Sequence, residues 1–366
     1  MKRFIYTYVL LTLAAHTILN DTLYGQSYDA DSLKIAVDEL VTKKMNQYDI
    51  PGISIGIVSY DTIVYATAYG VNDIKTKKAV TENSIFHTAS ISKLFTAQAI
   101  MSLIEKGDLH LDDRITTIAP ELRSTNQQLN GITIRQLLNH TSGLADVWNY
   151  NWGNDNKSDS ALKNYLIQLD LDRYMKESNT YSYSNLGYDV LGYIIEKVAG
   201  TTFEDHVQDS ILHATGMSNS DFRYYNIPAE SRTSPHSKTI FNNTYIRRTY
   251  PYNREHGPSS TLNASSRDLS LWMISFLAIL NNPEKTTYHQ MIKSSFDANP
   301  SIGLGFQLFD IDSQKAIGHY GGDKGFRSFL TLIPQQNVGI VLLANCDYNE
   351  DFRQEIVYEI ASLIMN

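Results

Sequence analysis

The sequence predicts a fold of the α/β plus all-α class: one discontinuous α/β domain with a mainly helical domain inserted into it. Strand-like segments lie near both ends of the chain, and strong helical periodicity fills the middle. The length of 366 residues suits roughly two domains. We therefore predict a leader at 1–25, an α/β domain at 26–89 and 290–366, and a helical domain at 90–289.

The first elements after the leader are a helix and a hairpin. Apolar residues recur at spacings of three and four over 31–47, which predicts an amphipathic helix. Ile53, Ile55 and Ile57 then alternate with small residues, which predicts a strand. A second strand at 63–69 follows a predicted turn at 60–61.

Helices dominate the middle, and strands return at the end. The predicted helices are 90–106, 134–138, 160–169, 186–199 and 267–280, whereas 224–258 has no clean period and is predicted as a long loop with room for a short hairpin. The predicted C-terminal strands are 303–310, 315–319, 326–333 and 338–344, and a closing helix covers 351–365.

Composition excludes several classes of function. Apolar residues make up 42% of the chain, which is enough for a buried core. The net charge of −8, without a block of Lys or Arg, argues against nucleic-acid binding. A single cysteine, Cys346, excludes a disulfide framework, a cysteine-based zinc site and an iron–sulfur cluster held by this chain alone. The ten histidines lack metal-binding spacing, so we predict no metal and no cofactor.

The N-terminus has the pattern of an export signal. Lys2 and Arg3 precede a mostly apolar stretch at 4–15, and cleavage is expected near Gly25. The alternative is an uncleaved membrane anchor, but the stretch is short for a bilayer span. We expect an exported protein of the periplasm or cell envelope, or a secreted one, with no stable membrane span after removal of the signal.

Ser90-Ile91-Ser92-Lys93, at the start of a strong predicted helix, is the first motif with chemical potential. A serine nucleophile needs a base and a group that stabilises an oxyanion, and Ser and Lys at i and i+3 of a helix start can supply them. The alternative is a helix cap with a solvated lysine. A second S-x-x-K begins at Ser160, but apolar flanks that imply burial favour Ser90.

Two later motifs could complete a site. Tyr183-Ser184-Asn185 precedes a predicted helix and offers a proton shuttle and an orienting amide. The alternative is an ordinary turn with a packed tyrosine, and a similar pattern occurs at 224–226. His319-Tyr320-Gly321-Gly322 offers a donor to a carboxylate and glycines that allow close approach of a ligand.

Taken in order, the three motifs resemble those of the penicillin-recognising serine hydrolases. The closest branch contains class C β-lactamases, D-Ala-D-Ala carboxypeptidases and related esterases, in which Tyr-x-Asn is the second motif and some members have His-Thr-Gly as the third. Further stretches similar to family landmarks are 86–93, 137–144, 181–187, 265–269 and 303–306.

The resemblance implies a β-lactamase/transpeptidase-like fold, with an antiparallel sheet flanked by the two terminal helices and the site at the domain junction. It also implies a role for each matching residue. These are Ser90 as acylated nucleophile, Lys93 and Tyr183 as joint proton carriers, Asn185 as the residue that holds Lys93 and the substrate, His319 and Gly321 as substrate-binding residues, and the N–H groups of Ser90 and Gly322 as the oxyanion hole.

Departures from the family pattern bear on the substrate. His319 replaces a lysine and is only partly charged at neutral pH, Tyr320 replaces a small threonine and is expected to narrow or line the cleft, and Ser260-Thr261 stands where relatives often have glycines. We expect a D-Ala-D-Ala-carboxypeptidase-like or esterase-like enzyme acting on a small molecule or a peptidoglycan-like peptide. The alternatives are a class C-type β-lactamase and a weakly catalytic penicillin-binding sensor.

Overall fold

The computed structural model describes residues 30–349 and 351–365, so the predicted leader at 1–25 lies outside the described residues. The helices are α1 (Ala30–Tyr48), α2 (Ser92–Lys106), α3 (Ile115–Ile118), α4 (Gln127–Asn130), α5 (Ile134–Leu138), α6 (Ala161–Gln168), α7 (Asn185–Ala199), α8 (Phe203–Val207), α9 (Gly257–Ser260), α10 (Ser266–Asn281), α11 (Thr286–His289) and α12 (Phe352–Met365). The strands are β1 (Gly52–Ser59), β2 (Thr62–Gly70), β3 (Phe86–His87), β4 (His236–Lys238), β5 (Thr244–Ile246), β6 (Asn263–Ala264), β7 (Gln307–Ile311), β8 (Gln314–Asp323), β9 (Phe326–Ile333) and β10 (Val338–Ala344).

The central sheet joins the two ends of the described chain. Its six strands lie in the order β2-β1-β10-β9-β8-β7, and every neighbouring pair is antiparallel. Ile53 on β1 therefore lies opposite Ala344 on β10. The predicted antiparallel sheet, built from strands at both ends of the chain, is confirmed.

The alternation in β1 explains how the sheet is covered on both faces. Ile53, Ile55 and Ile57 point to one face, where α1 and α12 pack in a shared apolar cluster. The small residues between them point to the other face. A Cβ atom on Gly56 would lie 2.2 Å from Ser270 Oγ, so a small residue here lets α10 pack directly on the sheet.

Helices from the middle of the chain form the second, larger core. Leu94, Phe95, Ala97 and Ile100 on α2 are fully buried, and the Phe95 ring packs on Trp272 of α10. Most side chains of α2 are buried, and its first turn packs at the boundary between the helices and the sheet. The predicted division of the chain at residues 89/90 and 289/290 stays a prediction.

Two strand boundaries differ from the sequence-based expectations. Strand β7 begins at Gln307 rather than at residue 303, because Gly305 has a φ of +92° and breaks the extended path. Strand β8 continues to Asp323 and so contains the whole His-Tyr-Gly-Gly motif. The stretch 224–258 contains the β4–β5 hairpin, a short 3₁₀ turn at Arg254–His256 and the start of α9. Among residues 30–349 and 351–365, no helix is both long and apolar enough to span a bilayer.

Candidate active site

Ser90 lies in a short 3₁₀ turn, Ala89–Ile91, that links β3 to α2. The sequence predicted that Ser90 would open the helix, but α2 begins at Ser92. Ala89 has a φ of +50°, a conformation that non-glycine residues seldom adopt, and the Ser92 hydroxyl donates to the Ala89 carbonyl at 2.6 Å. The strained turn leaves Ser90 partly exposed while its neighbours are buried.

Lys93 contacts Ser90 from the first turn of α2. Its Nζ donates to Ser90 Oγ at 3.1 Å, to the Ser259 carbonyl at 2.7 Å and to Asn185 Oδ1. The side chain is fully buried, and this burial lowers the pKa of Lys93 from its ordinary 10.5 to about 7, against the opposing attraction of Asp189 and other carboxylates. Lys93 can therefore exchange a proton at neutral pH.

Tyr183 contacts the same serine oxygen. Its Oη donates to Ser90 Oγ at 2.8 Å. Burial raises the pKa of Tyr183 above its ordinary value of 10, although the hydrogen bond to Ser90 opposes this shift, so the phenol stays protonated at neutral pH. The ring of His140 lies on that of Tyr183 at 4.5 Å between centroids, and His140 Nδ1 accepts from the Ser184 N–H.

Asn185 is the first residue of α7, and two polar partners fix its amide. Its Nδ2 donates to Asp146 Oδ2 at 2.9 Å and to Tyr150 Oη at 2.6 Å. Asp146 Oδ1 also accepts from the Leu186 N–H at the start of the helix. The amide nitrogen is thereby directed to Asp146, and the amide oxygen to Lys93.

His319 lies on β8 and faces the same space as Tyr183. A cavity of about 10 Å³ is lined by both side chains, together with Gln307. Burial, reinforced by the nearby Lys93, lowers the pKa of His319 to about 3, so the ring is uncharged at neutral pH. Its Nδ1 lies 2.6 Å from the Tyr320 carbonyl, which assigns the ring proton to Nδ1.

Gly321 lets β8 lie directly against the backbone that precedes Ser90. A Cβ atom at this position would lie 2.0 Å from Ser328 Oγ and 2.3 Å from the Thr88 carbonyl oxygen, so a side chain would force the two segments apart. Gly322 is the next residue of the same strand, opposite Arg327 on β9.

Tyr320 does not line this space, and the expectation that it would is wrong. Side chains alternate along a strand, so His319 and Gly321 face Lys93 and the Ser90 turn while Tyr320 faces α12. The Tyr320 ring stacks on Phe329 at 3.9 Å between centroids, and the Arg353 guanidinium lies over it.

The other copies of the motifs assemble no comparable site. Ser160 is partly exposed, and its hydroxyl shares hydrogen bonds with Ser158 and Asn164 rather than with a lysine and a tyrosine. In the 224–226 segment, Asn226 donates to Asp221 at 2.8 Å. Within the part of the chain that the structure describes, no group of three His, Cys, Asp or Glu side chains could hold a metal ion.

Sequence reasoning missed three groups around Lys93 and Asn185. They are the Asp146 carboxylate, the Tyr150 hydroxyl and the Ser259 carbonyl. Asp146 follows the family-like stretch 137–144 by two residues, and this nearness was the only signal that could have found it.

Comparison with known proteins places these residues in a family context. The family model described as Beta-lactamase matches residues 37–363. Protein flp of Staphylococcus aureus strain N315 is 28% identical over 344 residues, which cover 90% of this chain and 66% of that protein. Penicillin-binding protein 4* of Bacillus subtilis strain 168 is 26% identical over 321 residues, covering 81% of this chain and 68% of that protein. The chain thus spans about two thirds of the length of these curated relatives.

Two solved structures share the fold. An octameric penicillin-binding protein homologue from Pyrococcus abyssi aligns with a TM-score of 0.77 at 23% identity, covering 90% of this chain and 77% of that one. A class C beta-lactamase aligns with a TM-score of 0.74 at 22% identity, covering 93% and 98%. The predicted β-lactamase/transpeptidase-like fold is confirmed.

Proposed function

Because this chain belongs to the Beta-lactamase family, we propose that it is a serine hydrolase that works through an acyl-enzyme on Ser90. The observation that carries the proposal is the convergence of two proton carriers on one oxygen. Lys93 Nζ lies 3.1 Å and Tyr183 Oη 2.8 Å from Ser90 Oγ. A hydroxyl held in this way can lose its proton during attack on a carbonyl carbon.

In the proposed acylation step, Ser90 Oγ attacks the substrate carbonyl and its proton passes to Lys93. Lys93 is the better base of the two candidates, because its pKa is about 7 whereas that of Tyr183 is raised. As the tetrahedral intermediate collapses, Tyr183 gives its proton to the leaving group and takes one from Lys93. Water then attacks the acyl-enzyme and gives a proton through Tyr183 to Lys93. As the acyl–oxygen bond to Ser90 breaks, this proton returns to Ser90 Oγ and the acid is released.

The N–H groups of Ser90 and Gly322 are the proposed donors to the oxyanion. The close packing of Gly321 on the Thr88 carbonyl supports this role, because it brings β8 next to the turn that holds Ser90. Preorganised backbone donors of this kind stabilise the charge that develops on the carbonyl oxygen.

His319 favours an ester, or another acyl donor without a free carboxylate, as the substrate. A cationic third motif would attract a substrate carboxylate, but His319 is uncharged at neutral pH because its pKa is lowered to about 3. The second candidate is a D-Ala-D-Ala carboxypeptidase, which the Tyr183-Ser184-Asn185 motif and the signal-like N-terminus favour. We also propose export, which the signal-like sequence of residues 1–25 supports.

Substitution of Ser90 tests the proposed nucleophile. Ser90→Ala should abolish hydrolysis of a p-nitrophenyl ester without unfolding the chain, because no other hydroxyl contacts both Lys93 and Tyr183 in the described residues. Ser160→Ala, in the second S-x-x-K motif, is the matched control and should retain the wild-type rate. Wild-type turnover by Ser90→Ala would contradict the proposal.

Product analysis separates the substrate classes. Rates of p-nitrophenyl ester hydrolysis, D-Ala release from a D-Ala-D-Ala peptide and nitrocefin hydrolysis are compared on the same preparation. Ester hydrolysis should be fastest, and faster D-Ala release would favour the carboxypeptidase. A penicillin adduct on Ser90 that persists for hours, with no product from any substrate, would favour a sensor.

A further inference from the structure

A buried Asp–His pair that the proposed reaction does not use lies next to the residues that hold Lys93. Asp189 is on α7, four residues after Asn185, and its Oδ2 lies 2.7 Å from Nδ1 of His256. Asp189 is 0% and His256 1% exposed. The inference drawn from this pair rests on the proposed role of Lys93 as a base.

The pair holds α9 against α7. His256 immediately precedes α9, and Ser259, three residues later, provides the carbonyl that accepts from Lys93 at 2.7 Å. A Cβ atom on Gly192 would lie 2.0 Å from Pro258 Cγ, so the two helices are in direct contact one turn beyond Asp189. A bond between Asp189 and His256 therefore fixes the position of the Ser259 carbonyl.

Aromatic rings enclose the pair and separate it from water. The rings of Tyr150, Trp152 and Tyr165 lie 4.8, 5.8 and 5.0 Å from that of His256 between centroids. A buried Asp–His pair is weak evidence for stability, because apolar residues of the same volume often serve as well. The presence of a carboxyl group and an imidazole at this place therefore calls for a different explanation.

The charge of Asp189 acts on Lys93. Burial lowers the pKa of Lys93, and Asp189 is the strongest of the carboxylates that oppose this shift. Burial also raises the pKa of Asp189, and the hydrogen bond and charge of His256 oppose that rise and favour the carboxylate form. Charges act over longer distances in a dry interior than in water, so Asp189 needs no direct contact with Lys93.

We propose that Asp189 and His256 are positioning residues for Lys93. The pair fixes the α9 carbonyl that orients the amine, and the carboxylate sets how much of Lys93 is protonated at neutral pH. The pair would therefore adjust the working pH of the enzyme without touching the substrate.

Several other titratable groups face the same region and are left unchanged in the test. Those around Lys93 are Asp146, Asp323, Tyr183, Tyr188, His140 and His319, and those around the pair are Asp146, Tyr150 and Tyr165. The test variant must therefore remove one charge and leave the shape of the site unchanged.

Asp189→Asn is that variant, because its amide oxygen can still accept from His256. The full chain is labelled with ¹³C at lysine Cε, and the Lys93 signal is identified by its loss in Lys93→Ala. Without the carboxylate, the titration midpoint of Lys93 should fall by about one pH unit. The acid limb of Ser90 acylation should move to lower pH by the same amount.

The direction of the shift separates this role from a structural one. If Asp189→Asn merely loosened the site, water would enter and the midpoint would rise toward 10.5, the ordinary lysine value. A raised or unchanged midpoint therefore overturns the proposal. Tyr165→Phe is the matched control, because it alters the packing on His256 without changing a charge, and its midpoint should equal that of the wild type.

A second variant covers the case in which Asp189→Asn does not fold. His256→Gln keeps a donor to Asp189 but removes the imidazole that favours the carboxylate form, so the Lys93 midpoint should fall below the wild-type value, and a rise would overturn the proposal. The titration needs no turnover. A chain that shows these shifts but never acylates Ser90 would contradict the proposed function and leave the charge-setting role supported.

Discussion

Lys93 donates its three ammonium hydrogens to three different acceptors, although it lies in a dry interior. The hydrogen bonds keep the amine in place, and burial lowers its pKa so that one of the three protons is lost more easily. Because unfolded Lys93 would stay protonated up to about pH 10.5, the unfolded chain binds more protons than the folded chain between pH 7 and 10.5. The contribution of Lys93 to stability therefore rises with pH across that window.

Acylation should follow the titration of Lys93. With a pKa of about 7, the neutral amine becomes about tenfold more abundant between pH 6 and pH 8, and kcat/KM for a p-nitrophenyl ester should rise with it. The measurement is a pH profile from which the rate of Ser90→Ala is subtracted at each pH. A profile that is flat over this range would contradict the assignment of Lys93 as the base.

Tyr183 should be needed for proton delivery to the leaving group. Tyr183→Phe keeps the ring against His140 but removes the hydroxyl that donates to Ser90, so kcat should fall on the order of 10²- to 10⁴-fold. Tyr224→Phe, in the other Tyr-x-Asn sequence, is the control and should retain full activity. The rates of the two variants and the wild type are compared after their thermal stabilities have been shown to be equal. A loss of less than tenfold in Tyr183→Phe would show that another group delivers the proton.

Each motif alone left an ordinary structural alternative open, and Ser90, Lys93 and Tyr183 were predicted as site residues because the three motifs in order resemble those of the family. The structure brings the three side chains together. Asp146 and Ser259 were missed because their contacts depend on loops that meet only in the folded chain.

At the scale of elements, the contact of α9 with α7 couples packing to chemistry. The contact depends on Gly192, which leaves space for Pro258, and α9 carries the Ser259 carbonyl to Lys93. The sequence predicts α7, because its helical period is clear, but it does not predict α9. With only four residues, α9 has no period to detect.

Gly192→Ala should damage both stability and catalysis. The new methyl group would lie 2.0 Å from Pro258 Cγ, and relief of this overlap should cost about 1–3 kcal/mol. The displaced Ser259 carbonyl should also reduce the rate of acylation. Gly131→Ala is the control, because its Cβ would meet no atom closer than 3.4 Å. Urea unfolding and ester hydrolysis measure the two effects, and a stability equal to that of wild type would show that α9 can shift freely.

At the scale of the whole molecule, the two terminal helices cover one face of the sheet and contact each other. Lys44 on α1 donates to Glu355 on α12 at 2.6 Å, and Tyr48 donates to the same carboxylate at 2.7 Å. The hydrogen bond from Lys44, and after it that from Tyr48, hold the pKa of Glu355 below its ordinary value of 4.5 against the opposing effect of partial burial. The contact therefore stabilises the fold above pH 4.5, and its contribution is lost as the pH falls through the lowered pKa.

Glu355→Gln should lower the free energy of unfolding modestly, and only at pH values above the lowered pKa of Glu355. The carboxylate is about one third exposed, so the loss at pH 7 should be about 0.5 kcal/mol. Urea unfolding of both proteins at pH 7 and at pH 3 provides the measurement, with the acidic condition as the internal control. A difference of the same size at both pH values would indicate that the amide disturbs packing rather than removing a charge contact.

The strand order could not be predicted from periodicity. Alternation in Ile53, Ile55 and Ile57 predicts a strand with two different faces, and the structure agrees. Nothing in that pattern says that β1 pairs with β10 at the other end of the chain. The order of strand-like and helical segments suggested a discontinuous α/β domain, but the antiparallel sheet flanked by the terminal helices came from the family resemblance, which carries long-range information that local patterns lack.

The pairing of β1 with β10 also sets the order in which this molecule can assemble. During synthesis the β1–β2 hairpin is made before helices α2–α11, whereas β10, the strand that must cover the edge of β1, is made only after them. These helices can pack through nearby contacts first, but closure of the sheet requires β1 and β10 to meet across all the segments between them. The edge of β1 is therefore an unpaired template throughout this interval, and protection of that edge until β10 arrives decides between folding and aggregation.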